Sequence, residues 1–258
     1  MRGLKGKVAV VVGGGRGIGR AIAEQLADYG CSVVVGSRTL SEVENTALGI
    51  RNAGGSAHGL SIDVQDRSSV SNFADEAFKL YGRADILVYC AGINQRLSAE
   101  EYPEETWSKV IDINLTGAYR TCQEFGQRMI AQGGGGSIVT ITSMMSHVVT
   151  PKQSAYSASK GALMQYTKLL AVEWAKSNIR VNAVSPGYIE TEMTKNAIAQ
   201  PGFRNAVLEK TPMERFGAAA EIAQAVCFLA SPEASFITGA ILPVDGGFLA
   251  GHPAIIPS

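Results

Sequence analysis

Apolar and polar positions alternate in blocks along the whole chain. Short unbroken runs of Val, Ile, Leu and Ala are typical of strands buried on both faces, and apolar residues at every third or fourth position are typical of helices. The pattern predicts strands at 8–12, 31–35, 57–62, 86–89, 137–141, 180–184 and 241–244. It predicts helices at 17–29, 39–53, 66–81, about 103–130 and 153–176, with a weaker helical signal over 190–216.

This alternation predicts an α/β protein. Strands joined by helices lie parallel, and right-handed crossovers cover both faces, which gives a doubly wound parallel sheet. No repeat, low-complexity tail or linker divides the chain, so we expect a single domain over 1–258. The interrupted segment near 190–216 follows the sixth strand, where an excursion can form a lid over a substrate.

Composition excludes several classes of protein. The 258 residues include 23 basic and 23 acidic side chains, so we expect no binding to nucleic acid or to an anionic membrane. No apolar run is as long as a membrane span, and no signal-peptide core precedes the first strand, which favours a cytoplasmic location. The four cysteines form no Cys-x-x-Cys pair, and no metal-ligand spacing involves the histidines, so no metal site is expected. The histidines are His58, His147 and His252.

Glycines cluster where the first strand meets the first helix. The segment 12–19 reads Val-Gly-Gly-Gly-Arg-Gly-Ile-Gly. Glycines let the backbone approach a pyrophosphate, and a helix N-terminus presents N–H groups and a positive dipole end to it. Any tight turn can be rich in glycine, but the position after the first strand favours a dinucleotide site. The candidate contacts are Gly13, Gly15, Arg16, Gly17, Ile18 and Gly19.

The end of the second strand distinguishes NAD from NADP. An acidic residue there would accept a hydrogen bond from the ribose 2′-hydroxyl of NAD and repel a 2′-phosphate. The segment 36–39 reads Gly-Ser-Arg-Thr and contains no acid. Arg38 and Ser37, with Arg16 from the glycine turn, suit a dianionic phosphate. Two solvated arginines are the alternative, and the missing acid favours NADP.

Tyr156 and Lys160 lie four residues apart, about one helical turn, so they share a helix face. A cation beside a phenol favours the phenolate, and the pair could pass a proton to or from a carbonyl or alcohol oxygen. Ser143 ends an apolar strand-like run upstream. From these residues alone, a surface Tyr–Lys pair remains the alternative.

Together these features resemble the short-chain dehydrogenase/reductase family over essentially the whole sequence. The family's Thr-Gly-x-x-x-Gly-Ile-Gly motif corresponds to 12–19, with Val12 in place of threonine. Its Asn-Asn-Ala-Gly motif corresponds to 89–92, which reads Tyr-Cys-Ala-Gly and keeps neither asparagine. The resemblance implies a Rossmann fold, a homotetramer, and a catalytic tetrad formed by Asn114, Ser143, Tyr156 and Lys160.

The resemblance also implies a role for each residue. Tyr156 would exchange the proton and Ser143 would donate to the substrate oxygen. Lys160 would lower the pKa of the tyrosine and hold the nicotinamide ribose, and Asn114 would keep a water in a proton relay. The further cofactor contacts implied, besides Tyr156 and Lys160, are Asp63, Val64, Cys90, Ala91, Gly92, Pro186, Gly187, Ile189 and Thr191.

The substrate side is expected around Arg96, which could bind a carboxylate or several hydroxyls, and His147, which could bind sugar hydroxyls. Ser143, Met145 and Tyr188 complete this set. The sequence around Arg96 and Ser143 resembles the gluconate 5-dehydrogenase-type subgroup, which acts on sugar acids and polyols. Alternatively, Arg96 is a solvated loop residue and His147 a surface or tetramer contact. A 3-oxoacyl-carrier-protein reductase and a non-catalytic NADP-binding scaffold also remain open.

Overall fold

The computed structural model describes residues 1–251, so His252 lies outside the described residues. Within that range the strands are β1 (Val8–Val12), β2 (Ser32–Ser37), β3 (Ser56–Ser61), β4 (Ile86–Tyr89), β5 (Gly136–Ile141), β6 (Ile179–Pro186) and β7 (Ile241–Val244). They form one parallel sheet in the order β3-β2-β1-β4-β5-β6-β7. The chain winds outward from β1 to β3, returns beside β1, and winds the other way to β7. The predicted doubly wound parallel sheet is confirmed.

Helices cover both faces of the sheet. They are α1 (Gly17–Asp28), α2 (Leu40–Asn52), α3 (Arg67–Tyr81), α4 (Glu104–Ile111), α5 (Gly117–Gln132), α6 (Ser154–Trp174), α7 (Lys195–Ile198), α8 (Pro201–Lys210) and α9 (Ala219–Ala230). Alternate residues of β1 point to opposite faces, so Ala9 and Val11 join one apolar core while Val10 and Val12 join the other. Helices α1, α2 and α9 pack on the first core, and α3, α5 and α6 pack on the second.

The sequence pattern misses α9 entirely. This helix reads Ala-Ala-Glu-Ile-Ala-Gln-Ala-Val-Cys-Phe-Leu-Ala, and it is apolar on nearly every side because it lies against the sheet. A helix without a polar stripe gives a weak periodic signal. The sequence feature that indicates the start of this helix is Glu221. Its carboxylate accepts the Ala218 N–H at 2.8 Å and so caps the first turn.

The helical stretch expected over about 103–130 is interrupted. A π-helical turn (Asp112–Thr116) joins α4 to α5 and contains the fully buried Asn114. A π-helical turn inserts one extra residue into the hydrogen-bonding pattern of an α-helix. The residues Asp-Ile-Asn-Leu-Thr do not by their composition predict such a turn. The weaker pattern over 190–216 corresponds to α7 and α8, and Pro201 occupies the first turn of α8, where a missing N–H costs nothing.

Candidate active site

A cleft opens where β1 and β4 lie side by side and the strand order reverses, at the carboxyl ends of the strands. Turns and strand ends from β1 to β6 contribute to its walls. The cleft contains every residue that the sequence assigned to the cofactor, namely Gly13, Gly15, Arg16, Gly17, Ile18, Gly19, Ser37, Arg38, Asp63, Val64, Cys90, Ala91, Gly92, Tyr156, Lys160, Pro186, Gly187, Ile189 and Thr191. Ser143 also lines it.

The glycine turn leaves no room for side chains. A Cβ on Gly13 would lie 2.5 Å from the Ala91 nitrogen, and a Cβ on Gly19 would lie 2.0 Å from the Gly13 oxygen. Gly13 also has a φ of +87°, which favours glycine. Among the described residues, no side chain caps α1, and its first turn has no acidic residue. The N–H groups at its start are therefore suited to a pyrophosphate, and the cradle fits a dinucleotide.

The other end of the cleft holds Arg16 and Arg38, both exposed, with Ser37, whose hydroxyl donates to the Thr39 carbonyl at 3.2 Å. Sequence reasoning missed Glu42, which also lines the cleft there. Its carboxylate lies 3.2 Å from the position that a Gly15 Cβ would occupy. Glu42 lies in the first turn of α2, so packing of that helix against the glycine turn places an acid where the strand end has none.

The proton-transfer residues meet at the middle of the cleft. The Lys160 side chain is 3% exposed, and its Nζ donates to the Ile141 carbonyl at 2.7 Å. That nitrogen lies 5.8 Å from the centroid of the Tyr156 ring. Burial lowers the pKa of Lys160 to about 8. Ser143 is buried at the end of β5, and its Oγ accepts the Met145 N–H at 3.1 Å.

The electrostatics of Tyr156 differ from the expectation. Burial raises the pKa of Tyr156 above its ordinary value, while the neighbouring Ser143 hydroxyl and the charge of Arg96 lower it in part. Burial therefore outweighs any lowering by Lys160, and the expectation that Lys160 lowers the pKa of this tyrosine stays a prediction. The ammonium is itself desolvated and lies over the ring, so it does not offset the burial of the phenolate.

Asn114 is tied into the wall of the cleft. Its Oδ1 accepts the Ile93 N–H at 2.8 Å, and its amide donates to the Ile93 carbonyl and to Ser159 Oγ, both at 3.0 Å. A Cβ on Gly92 would lie 3.3 Å from Asn114 Oδ1 and 3.4 Å from Lys160 Nζ. Asn114 and Lys160 thus face the same small space, while a water held by Asn114 stays a prediction.

The proposed substrate residues, apart from Ser143, lie outside the lining of this cleft. The Arg96 guanidinium lies 5.2 Å from the centroid of Phe203 on α8. Tyr188 contacts Phe203 and Phe248 edge to face, with ring centroids 5.5 Å and 5.8 Å away. Sequence reasoning missed both phenylalanines, because only the packing of α8 and of the segment after β7 brings them to Tyr188.

His147 and Met145 are engaged with other protein groups. His147 Nε2 lies 3.1 Å from Ser185 Oγ, which lies 2.7 Å from Thr142 Oγ1 in the cleft wall. The Met145 sulfur accepts from Thr150 at 3.6 Å. His147 is thus an exposed residue outside the cleft lining that contacts the cleft wall through Ser185, and hydrogen bonding to sugar hydroxyls stays a prediction.

Residues 1–251 contain neither a membrane-spanning helix nor a metal-binding cluster. No helix in this part of the chain has the length and hydropathy needed to cross a membrane. No group of three or more His, Cys, Asp or Glu residues there could hold a metal ion.

Known proteins match the chain along nearly its full length. A sequence family described as enoyl-(acyl carrier protein) reductase matches residues 12–249. Galactitol 2-dehydrogenase (L-tagatose-forming) of Cereibacter sphaeroides is 40% identical over 247 residues, which are 95% of this chain and 96% of that protein. The 3-oxoacyl-(acyl-carrier-protein) reductase FabG of Thermotoga maritima is 36% identical over 246 residues, which are 95% of this chain and 99% of that protein.

A solved structure agrees with these sequence matches. The crystal structure of a gluconate 5-dehydrogenase from Burkholderia cenocepacia J2315 in complex with NADP and tartrate has a TM-score of 0.92 and 33% identity, and the match covers 96% of both chains. Each of these relatives is named as a dehydrogenase or reductase. The chain therefore belongs to the short-chain dehydrogenase/reductase family of oxidoreductases.

Proposed function

We propose that the protein transfers a hydride between NADP(H) and a secondary alcohol or ketone on a sugar acid or polyol. The observation that carries the proposal is the convergence of Ser143, Tyr156 and Lys160 on one cleft whose far end holds Arg16 and Arg38. A nicotinamide dinucleotide bound along the glycine turn would supply the hydride, and the protein supplies the proton and the geometry.

Burial defines the proton chemistry of this site. Because the pKa of Tyr156 is raised, its hydroxyl stays protonated at neutral pH and is ready to donate to a substrate carbonyl oxygen. Ser143 lies beside it and donates to the same oxygen as negative charge develops. Lys160, held by the Ile141 carbonyl, is the neighbouring group that can restore the proton from its side of the cleft.

The adenosine end of the cleft supports NADP as the cofactor. Arg38 and Arg16 offer two exposed guanidinium groups, and Ser37 stands where an acid would repel a 2′-phosphate. Glu42 opposes this preference, because its carboxylate lines the same end of the cleft. Two cations outweigh one anion there, and a solved relative was crystallised with NADP.

Arg96 supports a sugar acid as the substrate. It forms no ion pair with the acidic residues of 1–251, so its charge is available to an external carboxylate. The charge of Arg96 lowers the pKa of Tyr156 in part, which supports a position of the guanidinium on the side of the proton donor. Stacking on Phe203 uses the face of the guanidinium and leaves its in-plane N–H donors for a carboxylate. Tartrate, found in one solved relative, is a hydroxy acid.

Two alternative functions remain. A 3-oxoacyl-carrier-protein reductase would need a basic surface for an acidic carrier, and the zero net charge argues against this, although one relative carries that name. A non-catalytic NADP-binding scaffold would have no use for a half-buried Tyr beside a buried Lys and a buried Ser around one space. Measurement of turnover on different classes of ketone distinguishes these two alternatives from the proposed function.

The test is NADPH oxidation measured side by side on keto-sugar acids, keto-polyols and β-keto acyl thioesters. We expect the highest kcat/KM on a keto-sugar acid, followed by a keto-polyol. Highest activity on the thioester supports the carrier-protein reductase, and NADPH binding without turnover on any ketone supports the scaffold.

A further inference from the structure

Tyr89 ends β4, at the position where the family pattern has the first asparagine of its Asn-Asn-Ala-Gly motif. The side chain is fully buried, and its Oη lies 2.5 Å from the Ile113 carbonyl oxygen. Burial raises the pKa of Tyr89 well above its ordinary value, so the hydroxyl stays protonated and donates to that carbonyl.

The Ile113 carbonyl lies in the π-helical turn Asp112–Thr116. At the end of this turn the Gly117 N–H bonds to the Asp112 carbonyl, five residues back. In an α-helix it would bond to the Ile113 carbonyl, four residues back. The Tyr89 hydroxyl therefore takes the place of the α-helical donor. Because a buried carbonyl needs a partner, this bond favours the π-helical turn over a continuous α-helix.

The same turn determines where Asn114 lies. The Asn114 side chain brackets the backbone of Ile93 and reaches Ser159, whose hydroxyl donates to the Tyr156 carbonyl at 2.7 Å. Asn114 also faces Lys160 across Gly92. A displacement of the turn would therefore move Asn114 relative to both Ser159 and Lys160, which lie on the same helix as the proton donor Tyr156.

Gly117 makes the room that Tyr89 needs. A Cβ on Gly117 would lie 2.6 Å from the Tyr89 Oη and 2.8 Å from Val64 Cγ2, both closer than real Cβ atoms approach. The large phenol on β4 and the glycine at the start of α5 are thus complementary in shape, and the helix could not carry a larger residue at 117 without moving the hydroxyl.

We propose that Tyr89 is a positioning residue, whose hydroxyl fixes the π-helical turn and thereby holds Asn114 beside Lys160. The inference rests on the proposed function, in which Tyr156 and Lys160 handle the proton.

The test replaces Tyr89 by Phe, which keeps the ring and removes only the hydrogen bond. We expect kcat for ketone reduction to fall about tenfold, while the dissociation constant for NADPH changes by less than about twofold. The pH at which kcat declines, set by Lys160 with a pKa of about 8, should move upward, because a loosened turn admits water to the buried ammonium. The titratable groups facing Lys160 are Cys90 and Tyr156, and the variant keeps both.

Tyr29→Phe is the matched control. It removes a tyrosine hydroxyl that bonds to Gln224 at 2.8 Å on the outer face of α1 and α9, so kcat and its pH dependence should stay as in the wild type. Gly117→Ala disturbs the same contact from the helix and should reproduce the fall in kcat and the upward shift of its pH dependence. In the Tyr89→Phe background it should add less than it does alone, because the clash with the hydroxyl is gone and only the clash with Val64 remains.

A folded Tyr89→Phe variant with wild-type kcat and pH dependence would overturn the positioning role. So would a parallel loss of kcat and NADPH binding without a pH shift, since that pattern indicates a structural role only. If Tyr89→Phe does not fold, Gly117→Ala decides by kcat and its pH dependence alone, because its clash with Val64 in the cleft can weaken NADPH binding by itself. A wild-type protein that turns over no ketone contradicts the proposed function instead.

Discussion

At the scale of single residues, burial shifts two neighbouring side chains in opposite directions. The pKa of Lys160 falls to about 8, and that of Tyr156 rises, because both charged forms are removed from water. At neutral pH the phenol therefore keeps its proton, and the ammonium is the first of the two to lose one as pH rises. The sequence predicts the pair from its helical spacing, but it cannot predict how deeply the pair is buried.

This order of titration predicts opposite pH dependences for the two directions of the reaction. Reduction needs Lys160 as an ammonium to restore the proton that Tyr156 donates, so its kcat should be highest below pH 8 and fall as pH rises through the Lys160 pKa of about 8. Oxidation needs Tyr156 to accept a proton, so its kcat should rise toward alkaline pH. Measurement of kcat in both directions from about pH 6 to about pH 10 checks this. A decline of reduction only near the ordinary lysine pKa would contradict the burial of Lys160.

Arg38 is expected to select the cofactor. Arg38→Ala should weaken NADPH about ten- to a hundredfold and leave NADH nearly unchanged, because only NADPH carries the 2′-phosphate. The measurement is kcat/KM for both cofactors, with Arg20→Ala as control, since Arg20 pairs with Glu24 on α1. A wild type that already prefers NADH, or an equal loss of both cofactors in Arg38→Ala, would contradict the assignment and point to Glu42 as the dominant charge.

At the scale of elements, the sequence predicts those parts of the site that depend on local spacing. The glycine turn and the Tyr156–Lys160 pair follow from residues within one or two turns of chain, and the structure brings them together. Glu42 and Phe203 enter through the packing of α2 and α8, which no local pattern specifies. The π-helical turn at Asn114 is likewise absent from the pattern, because it depends on a contact with a strand.

We expect Phe203 on helix α8 to affect substrate binding through its contact with Arg96. A cation–π contact contributes about 0.5–2 kcal/mol, so Phe203→Leu should raise KM for a keto acid about two- to thirtyfold. KM for a neutral keto-polyol should stay unchanged, and Phe203→Tyr should restore the keto acid. Phe236→Leu, at a fully exposed phenylalanine, is the control. An equal rise of KM for both substrates would show that Phe203 merely shapes the pocket.

At the scale of the whole molecule, large apolar side chains remain exposed on the helices beyond the second core. Trp107 on α4, Tyr119 on α5, and Leu169 and Val172 on α6 are all at least 40% exposed. Exposed apolar faces of this kind are typical of subunit contacts. The family resemblance implies a homotetramer, and these helices are where we expect its contacts.

We therefore expect sedimentation velocity at micromolar concentration to show a tetramer. Val172→Glu should shift it toward smaller species, because a buried unpaired carboxylate is costly at an apolar contact. Leu48→Glu, on the outer side of α2, should leave the assembly unchanged. A monomeric wild type would refute the assembly without affecting the site.

The most direct test of the account is turnover by Tyr156→Phe. Loss of a positioned proton donor costs about 100-fold or more in rate, roughly 3 kcal/mol in barrier. We predict that ketone reduction falls by at least that factor, while NADPH binding, measured by its fluorescence, stays near normal. Tyr166→Phe, three turns along on the same helix α6, should remain active. A Tyr156→Phe variant that keeps about a third of the wild-type rate would contradict the central claim that Tyr156 supplies the proton.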